Sequence, residues 1–260
     1  MPVQVIVFAW KGPQSDVNVA GVPRYADTLF RGAVFALLVV SLGLLGAVVL
    51  VRGAMPAAYT DIGNATQLVA SGAAAATAAW SYYRRGPDML LVHGAFAAGT
   101  WTLANAFWYA YFILIGEGLN YPTVADLGFV GVFLFLIAGL QEGLARNRLS
   151  VLTAAPIAIP LLGTGLWLVA VLGADAKTLT TLVVFTLSAA LLSSALLRSA
   201  HRHPVLFAAT VVFSLTHILN SLDSTLPDPP WVTNAAGALA AISFSLFAIA
   251  FLRHAGGEPA

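Results

Sequence analysis

Cysteine is absent from this 260-residue chain, and charge is scarce, at 9% of residues. Without cysteine there can be no disulfide, no thiolate nucleophile and no Cys-ligated metal, and the redox compartment leaves no trace. A water-soluble domain carries roughly 25% charged residues. A chain this poor in charge and 59% hydrophobic could not cover its own surface in water, so the expected solvent for most of it is lipid. The only lysines are Lys11 and Lys177. Neither sits in the middle of an apolar run, so a retinal Schiff base has no point of attachment.

Catalytic signatures are missing as well. There is no His-Glu-x-x-His metalloprotease motif and no Gly-rich phosphate loop with its lysine. There is no Gly-x-Ser-x-Gly elbow, and no paired acids of the kind that hold a magnesium diphosphate. Enzyme activity is therefore disfavoured, with no catalytic residue, metal or cofactor assigned. The net charge of +1 and the lack of a basic tract argue against a nucleic-acid partner.

Long apolar runs are present instead. A bilayer core of roughly 30 Å needs about 20 apolar residues per helix. Runs of that kind fall at 30–51, 62–83, 89–115, 123–145, 150–172, 177–199, 204–223 and 231–252, separated by short breaks rich in Gly, Pro and charge. The expected fold is all-α: a polytopic membrane helix bundle of about eight transmembrane helices. Residues 1–28 read as an N-terminal arm, 29–254 as the bundle and 255–260 as a short tail. With eight spans, Lys11, Arg24, Arg31, Arg84, Arg85, Arg146, Arg148, Arg198, Arg202 and Arg253 all fall on one side. Only Arg52 and Lys177 fall on the other. The positive-inside rule makes the basic side cytoplasmic, with both termini there, in the cell membrane. Seven spans would scatter the same residues over both sides.

Two features bear on packing. Pro156 and Pro160 interrupt the fifth run; a proline frees a helix carbonyl, so this helix is expected to pack inside the bundle. The small-residue run Gly72–Ala76 in the second permits close helix approach.

The third and seventh runs resemble each other. Phe96-Ala97-Ala98-Gly99-Thr100 compares with Phe207-Ala208-Ala209-Thr210, Asn105 falls opposite His217, and Trp108 opposite Asn220. Pro122 with Asp126 matches Pro230 with Asn234 at the same spacing of four. A 4+4 parallel duplication, with halves 29–148 and 149–254, would produce this pattern.

The same residues form the one polar constellation in otherwise hydrocarbon-like spans: Asn105, Trp108, His217 and Asn220 in the outer halves of the third and seventh helices, and Asp126 and Asn234 in the first turns of the fourth and eighth. The 105/108 and 217/220 spacings put each pair on one helix face. Polar groups at such depth face a bundle interior or a wet cavity, so these six are the expected ligand-binding residues. Each also has a plainer reading: carbonyl bonding for His217, interhelical glue for the asparagines, packing for Trp108 and helix capping for Asp126. His93 lies at another depth, so a bis-histidine haem with His217 is not expected. His201 and His203 read as solvated, and Glu142 with Gln141 as a structural pair at the inner end of the fourth helix that can snorkel to water.

The stretch Trp108-Tyr109-Ala110-Tyr111, followed by Tyr121-Pro122-Thr123-Val124-Ala125-Asp126, resembles the multi-helix membrane sensor domains at the N-termini of bacterial and archaeal diguanylate cyclases and histidine kinases. Those show a Trp with nearby Tyr on one helix and Tyr-Pro-Ser-x-Ala-Asp opening the next; here Thr123 replaces the Ser. The resemblance covers about 25 residues and implies a sensory input module. Such domains feed a cytoplasmic output domain, whereas this sequence stops at Ala260, just past its last helix, so the expectation is either signalling through a separate cytoplasmic partner or a stand-alone relative with another job. The sequence thus ranks a sensor-like protein binding a small-molecule ligand first. A small transporter or channel subunit with a proton or cation site at Asp126 and His217 ranks second, and a lipid-modifying enzyme third. The bilayer is the common partner of all three.

Overall fold

The computed structural model describes residues 24–51, 57–115, 124–144, 151–225, 231–258 and 260. Among them lie eight α-helices and no strand: α1 (Arg24–Val51), α2 (Ala57–Arg85), α3 (Met89–Ile115), α4 (Val124–Gly143), α5 (Ala155–Leu172), α6 (Ala176–Arg198), α7 (Pro204–Thr225) and α8 (Trp231–Ala255). A 3-10 turn, Val151–Ala154, leads into α5. The helices follow the apolar runs to within a few residues. The largest difference is at α1, which begins at Arg24 and takes the last residues of the expected N-terminal arm; residues 1–23 lie outside the described residues.

Five helices are long and apolar enough to cross a bilayer: α1, α5, α6, α7 and α8. The apolar part of α4, Leu127–Gly143, is shorter. Both α2 and α3 are long, but they carry Asn64, Gln67, Asn105 and many small or hydroxylated residues, which lowers their hydropathy. The surface remains apolar. Leu50, Leu103, Leu114, Leu127 and Ile159 are each more than two-thirds exposed, an outer face matched to hydrocarbon rather than water.

Six helices form a closed ring. Each of α2, α3, α4, α6, α7 and α8 packs on the next, and α8 returns to α2. Outside the ring, α1 lies on α8 and α2, and α5 on α6. Helix α8 is apolar on all sides and buried along most of its length, as a helix surrounded by others must be. Its alanines, with Ala70, Ala74 and Ala78 of α2, let the two backbones approach. The α3–α4 contact is closest at glycines: a β-carbon on Gly128 would lie 2.7 Å from the Ala104 Cβ, one on Gly139 3.0 Å from the His93 Cβ, and one on Gly143 would run into the Leu90 backbone. This order, 128 with 104 and 143 with 90, makes α3 and α4 antiparallel.

One expectation is overturned. Helix α5 does not pack inside the bundle; only 11% of its apolar window is buried. Pro156 sits in the first turn, where no helix bond is lost. Only the Pro160 nitrogen fails to donate, and the carbonyl so freed, that of Pro156, is two residues into the helix. Polar surroundings at the helix end can satisfy it, so no burial is required.

Among the described residues the arginines gather at one end. Arg85 closes α2, Arg198 closes α6, and Arg253 is in the last turn of α8. There Asp88 caps α3, accepting from the Leu90 and Leu91 amides at 3.0 and 3.3 Å. Its other oxygen meets His254 Nε2 at 2.9 Å, and Arg85 lies 3.5 Å from it. Arg85 also donates to the His254 carbonyl. These contacts join the ends of α2, α3 and α8.

Gln141 is exposed and links two helices. Its Oε1 accepts from Arg198 Nε and Nη2 at 2.9 and 2.6 Å, while its Nε2 donates to Ser194 at 2.9 Å, tying α4 to α6. Glu142 remains exposed, 3.9 Å from His93. His201 is exposed as expected, but His203 is half-buried. Its ring lies edge-on to His254 at 5.8 Å, and its Nδ1 accepts from the Ala260 amide at 3.2 Å. The final residue packs back against the bundle, since Ala260 is fully buried. Ala260 and the His254 ring against the imidazole explain the difference from the solvated reading.

Burial, and then the neighbouring His254 and Arg202, hold the His203 pKa below its ordinary 6.5. The unfolded chain therefore takes up this proton first as pH falls. The His203 contribution to stability is complete above about pH 6.5 and is lost as pH falls below it. The melting temperature should fall less between pH 7 and pH 5 in His203→Gln than in the parent, read by thermal unfolding in one detergent at both pH values.

Candidate functional site

Every helix of the ring contributes to one cavity of about 520 Å³. Asn64 and Gln67 come from α2, Trp101, Asn105 and Trp108 from α3, and Phe129, Val130 and Phe133 from α4. Leu179 to Leu187 line it from α6, His217, Asn220 and Ser221 from α7, and Thr233 and Gly237 from α8. These positions fall in the C-terminal halves of α3 and α7 and the N-terminal halves of α2, α4, α6 and α8. The cavity therefore lies toward the end of the bundle opposite the arginines.

The wall changes character with depth. Near the helix ends are Asn64, Asn220, Thr180 and Thr233, with Asn220 well exposed. Toward the bundle centre the wall becomes aromatic. Trp101 meets Phe129 at 4.8 Å and the His217 ring edge-on at 5.0 Å. His217 in turn packs on Phe133 at 4.6 Å and Phe213 at 4.4 Å. Trp101 is 3% and His217 6% exposed. Neither the indole nitrogen of Trp101 nor Nε2 of His217 has a hydrogen-bond partner. Nearby, Asn105 Nδ2 donates to the Trp101 carbonyl at 3.1 Å, and Gln67 Nε2 to Asn64 Oδ1 at 3.1 Å. Among the described residues the wall carries no carboxylate, lysine or arginine.

Of the six residues singled out in the sequence, Asn105, Trp108, His217 and Asn220 share this cavity. Asn234 is not among the lining residues. Thr233 and Gly237, one helical turn apart, face the cavity, and position 234 is rotated about a quarter-turn from them. Asp126 lies in the first turn of α4, three positions before Phe129; its side chain lies outside the described residues. Asn64 and Gln67 are not among those six, although their i, i+3 spacing in a small-residue helix is the same kind of signal as 105/108. Trp101, one turn before Asn105, is not among them either, because a tryptophan in an apolar helix looks like packing.

The cavity can hold a molecule within the usual range for small-ligand sites, roughly 300–1,000 Å³. No group of three or more His, Asp or Glu residues that could bind a metal occurs among the described residues. No protein-family model, curated protein or solved structure matches this chain.

Proposed function

We propose that this chain is a membrane-embedded ligand-binding protein of the sensory kind, in which a small molecule enters the ring cavity from the outer side and biases helix packing. The observation that carries the reading is the convergence of six helices on one cavity, with the polar residues of α2, α3 and α7 turned toward it. A ligand in contact with all six elements has different affinity for any two arrangements of them, and that difference is what shifts a conformational equilibrium. The linked arginine end, where α2, α3 and α8 meet through Asp88 and His254, is where such a shift would reach a cytoplasmic partner.

All eight helices span the membrane in this reading, with both termini on the cytoplasmic side. The common placement of the arginines supports it. A 4+4 duplication accounts for the neighbours. The run α2–α3–α4 repeats as α6–α7–α8, α2 against α8 repeats as α6 against α4, and α1 and α5 both sit outside. The pseudo-axis then passes through the cavity. The α1–α8 contact has no counterpart between α5 and α4 among the described residues.

The absence of cysteine gives a direct test. Asn220→Cys should react with a membrane-impermeant maleimide in intact cells, and His201→Cys only after lysis. In proteoliposomes the parent should pass no protons or monovalent cations above the empty-vesicle rate. Labelling of both positions from the same side would overturn the topology. Ion flux abolished by Asp126→Asn would replace the sensor reading with the transporter.

A further inference from the structure

We propose that the cavity takes an uncharged molecule that is amphipathic across its width, with hydroxyl or amide groups spaced along one side and hydrocarbon along the other. This rests on the reading that the cavity binds a ligand, and it names the chemical class.

The wall is divided side to side. Around the ring, α7, α8, α2 and α3 are consecutive, and α4 and α6 close it. Every amide of the described lining comes from the first arc, including Asn64, Asn105 and Asn220. The second arc lines the cavity with apolar side chains such as Val130, Val183 and Leu187. Its one hydroxyl, that of Thr180, donates within its own helix to the Ala176 carbonyl at 2.8 Å. None of these six asparagine and aliphatic residues is buried: Asn220 and Val183 are exposed and the other four half-buried.

Depth does not explain the division. At a rise of 1.5 Å per residue from the helix ends nearest the cavity, Asn220 lies about 8 Å deep, Asn64 about 11 Å and Asn105 about 15 Å. On the other arc Val130 lies about 9 Å deep, Val183 about 11 Å and Leu187 about 17 Å by the same rise. Amides therefore face aliphatic side chains over the same range of depth. A head-to-tail amphiphile would set its chain against amides or its head against aliphatic carbon, and either mismatch leaves polar groups without partners. A molecule with polar atoms along one side matches both arcs at once.

The hydrogen-bonding pattern sets the polar groups. The bond to the Trp101 carbonyl uses one N–H of Asn105, and its Oδ1 takes no part in it. Gln67 donates to Asn64 Oδ1, a bond in which Asn64 Nδ2 takes no part. The polar arc thus offers an acceptor and a donor at different depths, which suits hydroxyl or amide groups that both give and receive. Charge is excluded by the wall. An ion would lose hydration without an opposite charge among the described lining residues to replace it.

The test uses the full chain in lipid nanodiscs and exploits its lack of cysteine. Val184→Cys places one thiol in the cavity wall, and a small uncharged methanethiosulfonate reads its accessibility. Thr164→Cys, exposed on α5 outside the ring, reads any effect of a probe on the bilayer alone. Four probes share a trans-decalin frame: the hydrocarbon, a diol with one hydroxyl per ring on the same face, its epimer with the hydroxyls on opposite faces, and a carboxylate. The same-face diol should slow labelling of Val184→Cys saturably and leave Thr164→Cys unchanged. The epimer should protect about 2- to 10-fold more weakly, the range for loss of one hydrogen bond, and the carboxylate not at all. Adding Asn105→Leu should weaken protection by the same-face diol by a similar factor and leave that by the hydrocarbon unchanged. Asn220→Leu, exposed and nearer the helix end, should do the same and serves where Asn105→Leu fails to fold. Equal protection by the two epimers, protection by the carboxylate as strong as by the diol, or no loss in Asn220→Leu would overturn the ligand class and leave the cavity as a binding site. A Val184→Cys thiol that does not react, or reacts at the same rate with every probe present, would overturn both.

Discussion

Asp88→Ala should lower the melting temperature by roughly 5–15 °C in detergent. The carboxylate does two jobs. One oxygen caps α3 through the Leu90 and Leu91 amides, and losing an N-cap costs about 1 kcal/mol. The other holds His254, whose side chain is only 10% exposed. Stripping a buried polar group of its partner costs about 1–3 kcal/mol. The two losses fall on separate atoms, so together they reach about 2–4 kcal/mol, and each kcal/mol moves the midpoint of a chain this size by about 2–4 °C. Asp88→Asn keeps an acceptor for the α3 cap and offers its Nδ2–H2 to a neutral His254 Nε2, and should lose less than half as much. Equal losses in the two variants would mean that charge at this end, and not the paired hydrogen bonds, secures the junction of α2, α3 and α8.

Gly143→Val should be comparably damaging, for a steric reason. A β-carbon at Gly143 would overlap the Leu90 backbone. A side chain can turn away from such a clash, but a helix backbone cannot, so α4 must move as a body. Overpacking of a tight interior costs about 1–3 kcal/mol when side chains can adjust, and here the upper end is expected. Because α4 carries Phe129, Val130 and Phe133 into the cavity, the displacement should also weaken ligand binding. Gly46→Ala is the matching control. It lies in α1 with nothing within 4 Å of its would-be β-carbon, so it should be neutral or slightly stabilising through helix propensity. Thermal unfolding of the three proteins side by side reads the difference.

These sites show how unevenly information is distributed along the chain. The eight helices were legible because apolar runs of bilayer length, bounded by Gly, Pro and charge, have few other solutions. The cavity was legible in part. Asn105, Trp108, His217 and Asn220 stood out because polar side chains are rare in such runs, and their spacing put each pair on one face. Asn64 and Gln67 escaped notice because α2 is generally polar and small, so two more amides made no contrast. Trp101 and Phe133 were invisible as site residues, since an aromatic in an apolar helix reads as packing until its neighbours are known. The inward placement of α5 was misjudged because a proline's effect depends on how far it lies from the helix end, and the start of that helix was set a few residues too early.

Composition by itself determined that this chain is helical and apolar outside, because so little charge and so many long apolar runs leave the backbone no better way to satisfy its own hydrogen bonds in hydrocarbon. Which helices close the ring, and that their scattered amides and aromatics meet at one cavity, was decided only by tertiary packing. Helix neighbours are chosen by glycine and alanine contacts between segments far apart in the sequence, and no local pattern encodes that choice.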